Sequence, residues 1–227
     1  MRAGHREPVT RSAASPSAPV PIEFPFRGRW QARNSPARRV PSHGTHRFGV
    51  TYAIDFVAVD DRGRSAVRSW RTLLSAEPPE IFRGFGAAIL APVAGTVVLA
   101  HDGEVDHEAR RSQLALVPYA LGQAARVRAG VGAIAGNHVV LRVGSDGPYV
   151  LLAHLRAGTV RVGLGDVVTV GQQIGECGNS GNSTEPHVHV QATDSVRWDA
   201  AVGLPIVFRR SSGGEAWVPA ESEIVDV

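Results

Sequence analysis

At 227 residues with 43% hydrophobic content, the chain is long enough for one well-buried domain, or for one domain carrying an insertion. The formal net charge is only +3 and the sequence contains no Lys; no Arg cluster reaches the density of a phosphate-binding stripe, and aromatics at 6% are too sparse to stack bases, so no nucleic-acid partner is expected. The longest apolar stretch, GAAILAPVAGTVVLA from Gly86, carries Pro and Gly and falls short of the roughly 18 residues a membrane span needs, so no span is predicted.

In chain order, residues 1–21 are Pro, Ser, Ala and Arg in no period and are expected to form a disordered arm. They contain no apolar core of a signal peptide, which implies a cytoplasmic protein or a start that is not the true one. Order is expected from IEFPFRGRW onward. Short β-branched runs then follow, separated by Gly, Pro and Asp: TYAIDFVAV, GTVVLAHD, NHVVLRVG, YVLLAHL, TVRVG, DVVTVG, HVHVQA and PIVFRR. So many short strands with tight turns predict an all-β sandwich or barrel. Residues 64–85 and 103–135 break the rhythm and read as irregular or partly helical insertions, the longer one a candidate substrate wall. The domain is thus expected over 22–210, with 211–227 as a C-terminal tail. The single Cys177 excludes an internal disulfide and is expected to be a small buried residue.

The chemistry lies in the nine histidines. His5 falls in the arm and His107 in an Arg- and Glu-rich insertion, so both are expected to be solvated; His101 sits at a turn, and His138 opens a strand where a surface or edge role is expected. His43, His46, His154, His187 and His189 remain, with Asp55 as the one carboxylate embedded in an apolar strand. Side chains on a strand alternate faces, so His187 and His189 point the same way with Cα atoms roughly 7 Å apart, an arrangement that invites a metal. An Asp between Ile54 and Phe56 is costly to bury unless it is paired or metal-bound, although Asp55 taken alone is better explained by backbone amides at a strand bend.

Together, HGTHRFGVTYAIDF, APVAGTVVLAHDG, YVLLAHLRAG, VRVGLGDVVTVGQQIGECG and GNSGNSTEPHVHV occur in the order and close to the spacing of the LytM/lysostaphin-type zinc metallopeptidases. The chain resembles this M23 endopeptidase family over roughly residues 40–192. It departs from the family at the first motif, where His43 and His46 both precede Asp55 by more than the usual three residues. The resemblance implies a Zn2+ site of His43, Asp55 and His189, acid–base roles for His154 and His187, and a peptide of bacterial peptidoglycan as substrate. It also implies a cell-envelope or secreted location. These residue types suit the chemistry, since a catalytic zinc keeps three His or carboxylate ligands and one open position. Two alternatives are weighed. A member of the fold that has lost activity would serve as a cell-wall peptide-binding or regulatory module, but this chain retains a candidate for each ligand. A cupin would share Gly181 and the His187-x-His189 pair, but no Glu follows at cupin spacing and no His follows residue 189.

Between His43 and His46, a β-hairpin turning about Gly49 favours the former. Counting outward from Gly49 sets residue 43 opposite residue 55 and residue 46 opposite Tyr52, and opposed side chains share a face with Cβ atoms roughly 5 Å apart.

Overall fold

A computed structural model describes residues 18–67, 76–109, 131–210 and 213–227. The expected arm falls mostly outside these residues, as do residues 68–75 and 110–130 of the two expected insertions. The strands are β1 (Val20–Glu23), β2 (Arg29–Arg33), β3 (Ile54–Ala58), β4 (Ala88–Leu90), β5 (Gly95–His101), β6 (Asn137–Arg142), β7 (Tyr149–Leu155), β8 (Val167–Val168), β9 (Gln173–Glu176), β10 (Val188–Thr193), β11 (Gly203–Leu204), β12 (Ile206–Arg209) and β13 (Ile224–Asp226). The one α-helix among the described residues, α1 (Val131–Ala135), is a little over one turn long.

The expected all-β architecture is what the chain adopts. A large sheet runs β13-β2-β3-β10-β7-β6-β5-β8, with β11 also on β10, and two small sheets, β1-β12 and β4-β9, complete the fold without a closed barrel among the described residues. Period-two alternation explains the layering. Ile54, Phe56, Val188, Val190, Val150, Leu152, Val139 and Leu141 turn one face of the large sheet into the main core. Val20, Ile22, Ile206 and Phe208 of one small sheet, and Ile89 and Ile174 of the other, close over that face. An aromatic cluster ties the layers together: Phe24 stacks on Phe208 at 4.8 Å, Phe26 stacks on Trp30 at 4.6 Å, and Phe26 meets Phe56 edge-on at 5.0 Å.

Three details differ from the sequence reading. TVRVG at 159–163 forms no strand, because its amides serve as anchors for Asp102 and for Ile174 rather than a ladder. Within the expected tail, Ile224–Asp226 form the edge strand paired with β2, and Val225 is buried. The stretch from Arg47 to Tyr52 is a pair of 3-10 turns rather than a hairpin, kinked where Phe48 and Gly49 adopt φ of 59° and 73°. Two successive left-handed residues divert the chain out of any ladder, and Gly49 lies so close to β10 that a Cβ there would overlap the Thr193 methyl.

Truncating Phe56, fully buried between the layers, removes packing that nothing nearby can replace. Phe56→Ala is expected to cost about 3–5 kcal/mol, read from the urea midpoint. Cys177 is buried, and burial followed by the nearby Asp106 charge pushes its thiol well up. It should stay unlabelled by a thiol reagent in buffer and react in denaturant; rapid labelling of the folded chain would contradict this packing.

Candidate metal and acid–base site

The face of the large sheet opposite the core carries the polar residues. β10 pairs antiparallel with β3 so that His189 stands directly opposite Asp55, and with β7 so that His189 also faces Ala153. His187, His189 and Gln191 alternate with the core residues Val188 and Val190 and line the same cavity, which has a volume of about 400 Å³. Apolar side chains, Phe48, Ile134, Leu151 and Trp198 among them, form its walls.

Asp55 is the hub. His189 Nδ1 lies 2.8 Å from Oδ1, His43 Nε2 lies 3.1 Å from Oδ2, His187 Nε2 is 3.7 Å from Oδ1, and Asn34 Nδ2 donates to Oδ2 at 2.7 Å. Among the described residues, His43, Asp55 and His189 are the only such group whose candidate ligand atoms all fall within 4.8 Å of one another. His46 is not part of it. It is exposed, and its Nδ1 pairs locally with Thr51 Oγ1 at 3.1 Å. His43 therefore reaches Asp55 as expected but by another route, since Ser42 is held to Thr51 and Val50 by a backbone and a side-chain bond rather than by strand pairing.

Partners outside the cluster set the tautomers. Gln191 Nε2 donates to the Phe48 carbonyl, so Oε1 faces His189 Nε2 at 2.9 Å and that nitrogen must donate. Ser42 Oγ donates to the Val50 carbonyl and so accepts from His43 Nδ1 at 3.0 Å. The inner nitrogens of both rings are then lone pairs aimed at a carboxylate. Three acceptors converging on one point require a cation between them, a proton or a metal ion, and the donor set of two imidazoles and one carboxylate fits zinc.

The electrostatics carry the same message. Burial pushes the Asp55 carboxyl up, but positive charge shared with the surrounding His43, His187 and His189 rings outweighs it and holds the group well below the usual carboxylate range. Burial pushes His189 down, and the bonded Asp55 together with Gln191 more than reverses this, leaving its pKa raised.

His154 enters the site by a backbone irregularity. Asn137 opposes Leu155 while Val139 opposes Leu152, so β7 spends three steps against two of β6, and His154 takes φ of 63° within this bulge. Simple alternation would send residue 154 to the core side with Leu152; the left-handed bulge turns it onto the site side, where its ring centre lies 4.6 Å from that of His187 and 5.9 Å from that of His189. Its Nδ1–H donates to the Ser180 carbonyl at 3.0 Å, leaving Nε2 as a lone pair. Burial, then the neighbouring His187 and His189, depress its pKa well below the ordinary value, so it is neutral near pH 7. His187 has the same polarity: Nδ1 faces the Glu185 carbonyl at 2.8 Å and Ser183 Oγ at 3.0 Å, leaving Nε2 toward the cavity.

Of the other histidines, His138 is buried at 4% exposure rather than at a surface, because its Nδ1–H is satisfied by the Gly136 carbonyl, and burial first of all lowers its pKa. His107 is half-buried rather than solvated, with Nε2 3.0 Å from the Gly181 carbonyl. Sequence reasoning missed Asn34, Ser42, Ser180, Ser183 and Gln191. Only Gln191 had a legible signal, since it extends the alternation of His187 and His189 by one more step on the same face.

The model of peptidase family M23 matches residues 80–199, more than half of the chain; His154, His187 and His189 lie inside the match, and His43 and Asp55 lie ahead of it. No curated protein matches. Among solved structures, a mutant of the catalytic domain of the prophage-encoded M23 protein EnpA from Enterococcus faecalis is similar at 19% identity over 67% of this chain and 73% of that one, with a TM-score of 0.39. The catalytic domain of the antimicrobial peptidase lysostaphin from Staphylococcus simulans is similar at 21% identity over 67% and 74%, with a TM-score of 0.37. A zinc-containing peptidase from Vibrio cholerae is similar at 16% identity over 67% and 50%, with a TM-score of 0.32. The family match removes the cupin alternative: the chain belongs to peptidase family M23.

Proposed function

We propose that the chain is a zinc-dependent endopeptidase that cleaves peptide bonds of bacterial peptidoglycan, with His43, Asp55 and His189 holding Zn2+ and His154 and His187 moving protons. The observation that carries this reading is the convergence of two imidazole lone pairs and a carboxylate in a cavity walled by apolar side chains, with the outer nitrogens already committed as donors. Membership of a peptidase family supplies the reaction class, and the resemblance to the LytM/lysostaphin-type enzymes supplies peptidoglycan peptide as the substrate proposed.

His43, Asp55 and His189 would hold the zinc, which would supply a Lewis acid at the cavity. The protein's own residues supply the rest. His154, neutral and with Nε2 free, accepts the proton of the attacking water; its Nδ1–H on the Ser180 carbonyl keeps it in the one tautomer that can do so. His187, held at Nδ1 by the Glu185 carbonyl, turns Nε2 into the same space, where in protonated form it stabilises the oxyanion and then gives its proton to the departing amine. Gln191 and Ser42 accept the outer N–H of His189 and His43, so that the inner nitrogens are the ones that would face the metal.

Two experiments test this. The purified chain should bind about one zinc. His189→Ala and His43→Ala should lose it and His46→Ala should keep it; a full zinc complement in His189→Ala would sink the ligand assignment. His154→Ala should retain zinc while release of new amines from intact peptidoglycan falls roughly 10²- to 10⁴-fold, the contribution typical of one proton-transfer group. If that variant loses its zinc instead, His154 is a ligand and the division of roles is wrong. A wild-type chain that holds zinc and binds peptidoglycan but releases no amines would instead be a binding or regulatory module.

A further inference from the structure

We infer that Asp106 and His107, at the foot of the second insertion, are positioning residues for His154. They act by clamping the two residues on either side of Ser180, whose carbonyl accepts the His154 Nδ1–H. The inference rests on the acid–base role proposed above for His154.

The geometry is specific. Asp106 Oδ1 accepts the Asn179 amide at 2.6 Å and Oδ2 accepts the Ala157 amide at 3.0 Å, so one carboxylate joins the residue before Ser180 to the strand end that carries His154. His107 Nε2 faces the Gly181 carbonyl at 3.0 Å, and the His107 carbonyl accepts from Asn179 Nδ2 at 2.6 Å. Residues 179 and 181 are thereby both tied to a dipeptide that lies outside the cavity lining. The segment carrying them is itself anchored. Ala109 pairs with Glu77 through two backbone bonds, and Asn137 Oδ1 accepts the amides of Gly103 and Glu104. Asn137 also contributes its own amide to Ser180 Oγ at 3.0 Å. No side chain other than His154 bonds the Ser180 carbonyl among the described residues, so the position of that carbonyl decides where the imidazole points.

A left-handed residue in a bulge has little local structure to hold its side chain, and its aim must come from the loop it bonds. Loosening that loop should therefore misalign the base without touching the metal ligands or the cavity walls.

The test uses the full zinc-loaded chain. Asp106→Ala should lower kcat on peptidoglycan roughly 10- to 100-fold, the scale of a misplacement near 1 Å, while zinc content is unchanged and KM stays within about two-fold. Asp106→Asn, which keeps one acceptor oxygen, should recover part of the loss. A second readout does not depend on turnover: the His154 Nδ1–H proton resonance, identified by its disappearance in His154→Ala, should broaden or vanish in Asp106→Ala and in His107→Ala. Asp102→Ala is the control. It removes a carboxylate of the same segment that accepts the Gly158 and Val160 amides but nothing beside Ser180, so kcat and the resonance should hold. An unchanged resonance in Asp106→Ala, or an equal fall of kcat in Asp102→Ala, would overturn the inference. Should the wild type release no amines, the proposed function fails, and the resonance comparison still decides whether Asp106 and His107 hold His154.

Discussion

A carboxylate on a central strand of an apolar sheet loses its hydration when the chain folds, and it survives there only if donors or opposite charge replace the lost water. Asp55 meets this condition through the Asn34 Nδ2–H, which donates from the segment after β2, and through the cation it must share with His43, in the loop before β3, and His189, within β10. Its position is not adjustable. Ile54 and Phe56 on either side are packed into the main core, so a slip of one residue would exchange Asp55 with an aromatic side chain and break both faces of the sheet. The core thus sets the register, and the register sets His189 opposite Asp55.

The same sheet shows how regular and irregular backbone divide the work. Alternation on β3 and β10 delivers Asp55, His187, His189 and Gln191 to one face with no local distortion. His154 cannot arrive that way, because its neighbours Leu152 and Leu155 belong to the core and the parity of β7 runs against it. The bulge changes the parity at a cost in backbone strain of order 1–3 kcal/mol, an outlier of the kind that concentrates at functional sites. The contacts around it are the Ser180 carbonyl, which accepts the His154 Nδ1–H, and the Asp106 carboxylate, which accepts the neighbouring Asn179 amide.

These two mechanisms explain what the sequence disclosed. The HxH pair and the embedded Asp55 were legible because period-two alternation is written in the residues themselves, and most of the principal strands were legible for the same reason. His154 was legible as a residue of a family motif, but nothing in YVLLAHL announces the left-handed conformation that turns it to the site. The hairpin about Gly49 picked out His43 for a reason the fold does not use. Gly49 does take positive φ, but Phe48 takes it too, and no propensity rule anticipates that for a bulky residue. The short strands β4, β9 and β11 and the edge strand β13 were illegible because they are two to four residues long and acquire strand geometry only from their partners.

That unexpected turn proves to be where the site's outer bonds end. The relay from His43 runs through Ser42 Oγ to the Val50 carbonyl, and the relay from His189 runs through Gln191 to the Phe48 carbonyl. Both tautomers are therefore fixed by carbonyls two residues apart on one 3-10 segment. The carbonyl of Phe48 faces β10 and that of Val50 faces the loop at Ser42. The positive φ values at Phe48 and Gly49 separate them, and the close approach of Gly49 to Thr193 brings the first within reach of β10. The strained turn thus explains why His43, lying on no strand, turns a lone pair inward just as His189 on β10 does, although the outer N–H is on Nδ1 in His43 and on Nε2 in His189.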